Sequence, residues 1–295
     1  SLSGCCSDFH LYVFAFDDKC EQVLKKLSLP GMTVISLKEF EDKDLLEIKP
    51  TRTRAEYCWT CSSSTVLYCL QQFNLPHCTY IDADLYFYNN PVVLIEEMGS
   101  NSILITEHRY SPQYEKAIKA GKYCVQFITF KNDEYGLKVL QWWRQRCIEW
   151  CYAHYENGKF GDQKYLDDWT TRFEKVWVLQ HLGGGLAAWN IQQYIVKQNN
   201  GCLECTEIST GKKFVPVFYH FHYLRYYKNG TIELGRRELS SAVLSLLYKP
   251  YIRQLEKTKR YIQAIDDSFD PNGAGNFPQG LKHLLVSDNR KMKKD

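Results

Sequence analysis

The sequence predicts an α/β fold, a mostly parallel sheet flanked by helices, and two observations lead to that prediction. Apolar, β-prone runs alternate with amphipathic helical segments over residues 9–222, the order typical of parallel strands joined by helices. The run that begins at His77 is continuous and apolar, as expected of a strand buried on both faces. With 295 residues, of which 44% are apolar and 15% aromatic, the chain has enough apolar material for a large core.

Strand and helix signals follow one another in a regular order. The predicted strands are Phe9–Phe16, Met32–Leu37, His77–Tyr88, Ser102–Glu107, Tyr123–Phe130, Val176–Leu182 and Phe214–His222. The predicted helices are Gln22–Leu27, 39–47, 53–73 and Asp133–Tyr155. We expect one domain over residues 1–224, followed by a C-terminal helical extension with a basic tail over residues 225–295.

Two acids at the end of a predicted strand, Asp82 and Asp84, point most directly to chemistry. Ligands of open α/β sheets bind at the carboxyl ends of the strands. In an extended chain the i, i+2 spacing turns both side chains the same way, roughly 6.6 Å apart. Mg²⁺ and Mn²⁺ prefer such oxygen ligands. The alternative is a pair of solvated acids at a strand end.

Two histidines and a third acid are candidates for the same site. His220 and His222 end the last predicted strand on one face, and imidazole readily joins carboxylates around Mn²⁺; the alternative is a pair of hydrogen-bonded core histidines. Asp162 and Gln163 open a helix, so Asp162 is either a site residue or an ordinary N-cap. The glycine run 183–185 would let backbone amides approach a phosphate or sugar, although a plain tight turn needs glycine as well.

Charge and composition exclude several classes of protein. The net charge is only +3, from 37 basic and 34 acidic residues, which is not the signature of a dedicated nucleic-acid-binding protein. No run approaches the ~18 apolar residues of a membrane span, and the first residues lack the regions of a signal peptide, so we expect a cytoplasmic protein. The 12 scattered cysteines are expected to be reduced thiols. The alternative is a zinc site built from two pairs of metal-like spacing, namely Cys58, Cys61, Cys202 and Cys205.

Taken in order, these segments resemble a GT-A fold glycosyltransferase, near glycosyltransferase family eight and the bacterial nucleotide-diphosphosugar transferases that build surface polysaccharides. The resemblance extends over residues 9–224. Its parts are the helix Arg52–Thr60, Asp82-Ala83-Asp84, Asp162-Gln163, Ala188-Trp189-Asn190 and His220-Phe221-His222.

The resemblance implies a metal-dependent hexosyltransferase that uses Mn²⁺ or Mg²⁺ and a nucleotide-diphosphosugar donor, with a UDP-sugar as the first expectation. The implied metal ligands are Asp82, Asp84 and His220. The implied cofactor-binding residues are Asp82, Ala83, Asp84, Trp189, Asn190 and His222. The implied catalytic residues, which face the donor sugar, are Asp162 and Gln163.

The resemblance also implies the partners and the place of action. The expected acceptor is a glycan or a lipid-linked glycan, no nucleic acid is expected, and membrane contact is at most peripheral, at the inner face of the membrane. A family pattern of a metal histidine followed by an aromatic residue aligns with His220-Phe221. His222 is then expected near the acceptor or in a supporting hydrogen bond.

The sequence departs from the family at three places. Tyr223 stands where family eight usually has a glycine after the metal histidine, and Lys164 stands where it has Asp-Gln-Asp. A GT-A fold also begins with a strand that cradles the nucleotide base, and this chain opens at what resembles the second strand. We therefore expect that the first strand lies outside this sequence; the alternative is that such a strand is supplied differently.

Two other functions remain open at this stage. A sugar nucleotidyltransferase also holds a metal against phosphates on an α/β sheet, but it should carry a basic glycine-rich loop near its start. A non-catalytic carbohydrate-binding protein would use Asp82 and Asp84 structurally and present its tryptophans to a glycan. Metal dependence and nucleotide preference distinguish the three.

Overall fold

The computed structural model describes residues 1–278 and the backbone of residues 291–293. Strands β1 to β15 are, in order, Leu11–Ala15, Met32–Ser36, His77–Ile81, Leu85–Phe87, Ile103–Glu107, Tyr123–Lys131, Val176–Val178, Leu186–Ala187, Tyr194–Asn199, Cys202–Glu207, Lys213–Phe214, Phe218–His220, Arg225–Tyr226, Thr231–Glu233 and Lys291–Lys293. Helices α1 to α9 are Asp18–Leu27, Leu37–Phe40, Lys43–Ile48, Arg54–Gln72, Val92–Glu96, Glu134–Glu149, Trp169–Arg172, Ser241–Val243 and Lys249–Gln263. Short 3-10 helices lie at Leu2–Gly4, Lys49–Thr51, Pro112–Ala120, Gln163–Asp168 and Ile191–Gln193, and a π-helical turn, Leu244–Tyr248, joins α8 to α9.

The largest sheet has the strand order β3-β6-β5-β7. Its centre is β6, which is buried at every residue but the last. Helices α4 and α6 cover one face of this sheet through residues such as Leu70 and Trp143, whereas Leu94 and Phe127 belong to the cluster on the other side. The arrangement is a helix-covered sheet, and it confirms the predicted mixed α/β fold.

Strand directions differ from the prediction of a mostly parallel sheet. β6 runs antiparallel to both β3 and β5, and in this sheet only the pair β5 and β7 is parallel within the described chain. The connection from β5 to β6 contains the 3-10 helix Pro112–Ala120 instead of a helix that crosses back over the sheet, so β6 returns beside β5 in the opposite direction. The βαβ start is confirmed, because α1 joins the parallel pair β1 and β2.

The sheet that carries the candidate residues is smaller, with the order β4-β12-β8. β4 pairs antiparallel with β12, and β8 pairs parallel with it. Tyr219 and Phe221 lie in one hydrophobic cluster with Tyr248 and Ile252 of the C-terminal helices. Segments on either side of residue 224 therefore pack on the same core.

Several element boundaries differ from the predicted ones for local reasons. The predicted helix 53–73 is α4, which begins with a capping box between Thr53 and Glu56. The predicted helix 39–47 is split, because the side chain of Asp42 caps a new helix, α3. The predicted helix Asp133–Tyr155 ends at Glu149, where Trp150 takes extended backbone angles.

The C-terminal region contains more than the predicted helices. An antiparallel pair, β13 and β14, precedes α8 and α9, and β14 also pairs with β15 in the predicted basic tail. The rest of that tail and residues 279–290 lie outside the described residues. Among the described helices, none has the length and apolar character needed to cross a lipid bilayer.

Candidate metal centre

The acids of the Asp-x-Asp segment lie on a turn. β3 ends at Ile81, one residue earlier than the acids, and β4 begins at Leu85. The backbone N–H of Asp82 donates to Gln126 O at 3.0 Å, and the N–H of Leu85 donates to Asp82 O at 3.3 Å. Ala83 is exposed at the tip of this turn. The extended geometry assumed from the sequence is therefore replaced by a turn between two strands of different sheets.

Sheet register brings His220 to the acids. β12 pairs with β4 so that His220 lies opposite Leu85, next to Asp84 in the chain. The N–H of Phe221 donates to Asp84 O at 3.0 Å, which ties the two segments together. His220 Nε2 is 2.9 Å from Asp84 Oδ1 and 3.8 Å from Asp82 Oδ2. Because His220 is buried, its ring is held with one nitrogen toward both acids.

His222 lies close enough to join them. Potential ligand atoms of Asp84, His220 and His222 all lie within 4.8 Å of one another. β12 ends at His220, so the two histidines are not on one extended strand as the sequence suggested. Tyr223 follows with a φ of 68°, a left-handed conformation that favours glycine. A tyrosine thus adopts a glycine-favouring conformation at the position where the resemblance led us to expect a glycine.

The segment Trp189-Asn190 packs against the two histidines and the loop next to them. The Trp189 ring meets the rings of His220 and His222 edge-on, with centroid distances of 5.2 and 5.5 Å, and its Nε1–H donates to His108 O at 2.9 Å. Asn190 is buried and its amide donates to His108 O and Gly185 O, both at 2.8 Å, while its Oδ1 accepts from Ala187 N–H. Both amide hydrogens of Asn190 are therefore bonded to backbone carbonyls, and this side chain ties the segment 185–190 to His108.

Asp162 is buried close to the same turn. It precedes the 3-10 helix Gln163–Asp168, and within the described chain its side chain makes no capping hydrogen bond to that helix. Its backbone carbonyl accepts from Trp143 Nε1–H at 3.0 Å. Gln163 donates from Nε2 to Ala120 O at 3.1 Å and packs at Gly121. The ordinary N-cap role considered from the sequence is therefore not what the Asp162 side chain does here.

Electrostatics divides the acids into two kinds. Burial raises the pKa of Asp82, although the charge of His220 works against it. Burial acts in the same direction on Asp84, but the hydrogen bond and charge of His220 outweigh it and lower the pKa of Asp84. Burial raises the pKa of Asp162 to about 7, with the nearby Asp82 carboxylate adding to the effect and the Ser62 hydroxyl opposing it.

The two histidines differ as well. Burial disfavours the charged form of His220, yet its hydrogen bond to Asp84 raises its pKa above the ordinary value. Burial and the neighbouring charge of His220 lower the pKa of His222 to about 4. His222 is thus neutral near pH 7, with a ring nitrogen lone pair of the kind that binds a metal.

Several neighbours of this centre were not found from the sequence. Tyr80 donates from its hydroxyl to Asp82 Oδ1 at 3.0 Å, and His108 stacks on Tyr110 with its pKa lowered to about 3 by burial. His108 directly follows a buried strand, the same signal that marked the acids. Gln126 was visible as a polar residue inside the apolar strand β6, and its Oε1 lies 2.8 Å from His220 Nδ1. Nothing in the sequence marks Arg237, which acts electrostatically on His222.

The donor set fits a divalent cation. It combines carboxylates with imidazoles, a combination that suits Mn²⁺ and similar ions better than Mg²⁺, which favours oxygen alone. Metal-binding histidines usually have a hydrogen-bond partner on the second ring nitrogen, and His220 Nδ1 has such a contact with Gln126 Oε1. Residues that would hold such an ion are Asp82, Asp84, His220 and His222.

Comparisons with known proteins identify relatives of the whole chain. No protein-family model matches it. A crystal structure of mouse xyloside xylosyltransferase 1, apo form, aligns over 72% of this chain and 84% of its own at 13% identity and a TM-score of 0.42, a similarity too low to define the fold. Uncharacterized protein YfnF of Bacillus subtilis (strain 168) is 29% identical over 278 residues, which are 92% of this chain and 90% of YfnF. Uncharacterized protein YfnD of the same organism is 30% identical over 285 residues, 95% of this chain and 89% of YfnD. The chain therefore belongs to the family of Bacillus subtilis YfnD.

Proposed function

We propose that this protein is a metal-dependent glycosyltransferase that moves a sugar from a nucleotide-diphosphosugar to a hydroxyl group of a glycan. One observation carries the proposal. Asp84, His220 and His222 converge within 4.8 Å, with Asp82 beside them. The buried acid Asp162 lies close enough for the charge of Asp82 to raise its pKa. A cation site next to a buried acid suits the transfer of a group from a phosphate leaving group.

The acids and histidines would bind the donor's diphosphate through the ion. A divalent cation bound there would offset the negative charge that grows on the departing diphosphate, which is worth several kcal/mol in the transition state. Asp84 keeps its negative charge because of His220, so it is ready to bind a cation at neutral pH. Arg225 and Arg237 act electrostatically on His222 and would add positive charge for the phosphates.

Asp162 and Gln163 are the proposed contacts to the reacting sugar. Burial places the pKa of Asp162 at about 7, so its carboxyl can both donate and accept a hydrogen bond near neutral pH. The acceptor hydroxyl must lie within about 3–3.5 Å of the anomeric carbon, and positioning of that kind supplies much of the rate. Trp189 would act by holding the histidine rings.

The finer assignments are part of the same proposal. The domain over residues 1–224 would have the GT-A arrangement, a UDP-sugar would be the donor, and Mn²⁺ the preferred ion. The acceptor would be a glycan or lipid-linked glycan of bacterial surface polysaccharide synthesis, reached in the cytoplasm with peripheral contact at the inner face of the membrane. The region 225–295 would support the catalytic domain through the core shared around Tyr219 and Tyr248.

A thermal-shift screen tests the proposal. Nucleoside diphosphates, nucleoside triphosphates and UDP-sugars are added with and without Mn²⁺, and Tm is measured. We expect nucleoside diphosphates and one nucleotide-sugar to raise Tm only with the metal, since a ligand that binds the folded state stabilises it. A preference for triphosphates would indicate a nucleotidyltransferase. Glycan binding that ignores both metal and nucleotide would indicate a carbohydrate-binding protein and contradict the proposal.

A further inference from the structure

Gln126 is a polar side chain at a position where a strand of this kind normally has an apolar one. It lies in the middle of β6, the buried central strand, and its exposed fraction is 0%. Its Oε1 is 2.8 Å from His220 Nδ1. Because an amide oxygen can only accept a hydrogen bond, Nδ1 carries the hydrogen. The other ring nitrogen, Nε2, faces the Asp84 carboxylate at 2.9 Å, so without a metal it also carries a hydrogen, which a cation bound there would displace.

The amide nitrogen of Gln126 makes no hydrogen bond with the described residues. Gln126 Nε2 is buried and has no hydrogen-bond partner among the described residues, a placement that costs stability. It lies against Gly185, where an added Cβ would come within 3.2 Å of Nε2 and 2.8 Å of Thr106 Cγ2. Gly185 thus leaves room for the amide. The contact with His220 is therefore the hydrogen bond that compensates for the burial of this amide.

We propose that Gln126 is a positioning residue that keeps Nδ1 of His220 protonated and so presents Nε2 as the metal ligand. This inference rests on the proposed metal site. If the amide were absent or reversed, the neutral ring would keep its hydrogen on Nε2, beside Asp84, and that nitrogen would be closed to a cation. Supporting hydrogen bonds of this kind alter metal affinity by about 10–100-fold, although the residue never touches the ion.

Variants at position 126 separate the bond from the shape. Gln126→Met keeps a similar volume without an acceptor oxygen, whereas Gln126→Glu keeps the acceptor. Thr129→Val, on the same buried strand, is the control. It removes the 2.8 Å hydrogen bond between Thr129 of β6 and Thr79 of the neighbouring strand β3, and it does not change the contact between Gln126 and His220. Mn²⁺ affinity is measured on each full-length variant from the free-ion signal in electron paramagnetic resonance, with Tm recorded beside it.

The expected pattern is specific. Gln126→Met should lose about 10–100-fold in Mn²⁺ affinity, Gln126→Glu should remain close to wild type, and Thr129→Val should lower Tm without changing affinity. In a His220→Ala background, Gln126→Met should have no further effect on Mn²⁺, because coupled residues do not add. Equal affinity in Gln126→Met and wild type would overturn the inference while leaving the metal site itself intact. If the wild-type protein binds no Mn²⁺, the proposed function and the inference fall together.

A second measurement uses the wild-type protein and so does not depend on whether the Gln126 variants fold. Nitrogen-15 spectra of histidine-labelled wild-type protein, with the His220 signals identified by their loss in His220→Ala, report which ring nitrogen carries hydrogen. In the Mg²⁺-treated protein, a hydrogen on Nδ1 and none on Nε2 supports the inference. A His220 ring whose Nδ1 lacks hydrogen overturns it.

Discussion

Asp84 and Asp162 lie in the same neighbourhood of the molecule, yet their surroundings have opposite effects on their charge. Asp84 sits on an open turn beside His220, whose hydrogen bond and charge hold its pKa below the ordinary value in spite of burial. Asp162 is enclosed at the start of a 3-10 helix, and burial raises its pKa to about 7. Identical side chains thus receive different protonation states from their neighbours.

This difference suits a division of roles. A carboxylate that stays ionised at neutral pH is suited to bind a cation, and one that shares a proton near pH 7 is suited to contact an uncharged sugar. Burial and the immediate partners both differ, since Asp162 is enclosed, the imidazole of His220 lies beside Asp84, and the carboxylate of Asp82 acts on Asp162. Changing either acid therefore tests the assignment.

The largest effect is expected from Asp84→Asn and Asp82→Asn. Each removes a charged ligand atom, and a bound cation is worth several kcal/mol in the transition state, so transfer should fall about 100-fold or more. Turnover at limiting Mn²⁺ is the measurement. Asp44→Asn removes an equal charge from the ion pair with Arg144 and should leave turnover unchanged. Wild-type turnover in either site variant would show that the turn does not hold the metal.

The histidines should differ next. His220 is tied to Asp84 and Gln126, so His220→Ala should weaken Mn²⁺-dependent binding of a nucleoside diphosphate severely. His222→Ala should weaken that binding less and reduce mainly turnover. Calorimetric titration at fixed Mn²⁺ compares them. A greater loss of affinity in His222→Ala would exchange the two roles.

Asp162→Ala should depress the rate, by about 100-fold, with little change in Tm, if the acid contacts the reacting sugar. A helix-capping acid would behave in the opposite way, with a loss of about 0.5–2 kcal/mol of stability and normal turnover. Asp168→Ala is a suitable control, since it removes an acid of the same 3-10 helix that pairs with Arg172 at the surface. Rate and Tm are measured on the same preparations.

Stability should depend on pH through Asp162. Its folded-state pKa, about 7, lies above the ordinary 3.8, so the folded protein binds this proton more tightly than the unfolded chain does. The resulting stability is present below about pH 4 and is lost as the pH rises through 7. One pKa unit is worth about 1.4 kcal/mol, so the loss amounts to a few kcal/mol.

Asp162→Asn cannot ionise and should lack that part of the pH dependence. Chemical denaturation at pH 5 and pH 8, without metal, gives the free energy of unfolding for both proteins. We expect the variant to be the more stable of the two at pH 8. An unchanged difference between the two proteins at the two pH values would mean that Asp162 is ionised throughout.

The smallest effect is expected from the loop behind the histidines. Asn190→Ala removes the bonds from its side chain to the carbonyl of Gly185 and the N–H of Ala187, and it leaves the carbonyl of His108 only its bond from Trp189 Nε1, which should cost about 1–3 kcal/mol. Tm should fall by several degrees while Mn²⁺ affinity changes little. Asn101→Ala, which removes a single bond to Met98 O, should cost less. A loss of affinity larger than the loss of stability would place Asn190 in the binding site.

Local patterns in the sequence were enough to predict the parts of the molecule that depend on local physics. Helix α4 follows from its capping box and its apolar residues, and the βαβ start follows from two β-prone runs around an amphipathic helix. The acids and histidines stood out because polar residues ended apolar runs. Each of these signals lies within a few residues of the feature that it predicts.

Tertiary structure alone decided what lies beside those residues. The antiparallel course of β6 depends on how a 3-10 connection returns along β5, and the bond between Gln126 and His220 joins residues 94 positions apart. The pKa of Asp162 depends on burial and on Asp82, 80 positions away. No local window contains both members of such pairs. The amino-acid sequence by itself therefore determined which residues could carry charge and bind an ion, and packing decided which of them share a site and in what protonation state, because burial and distance arise only when the chain folds.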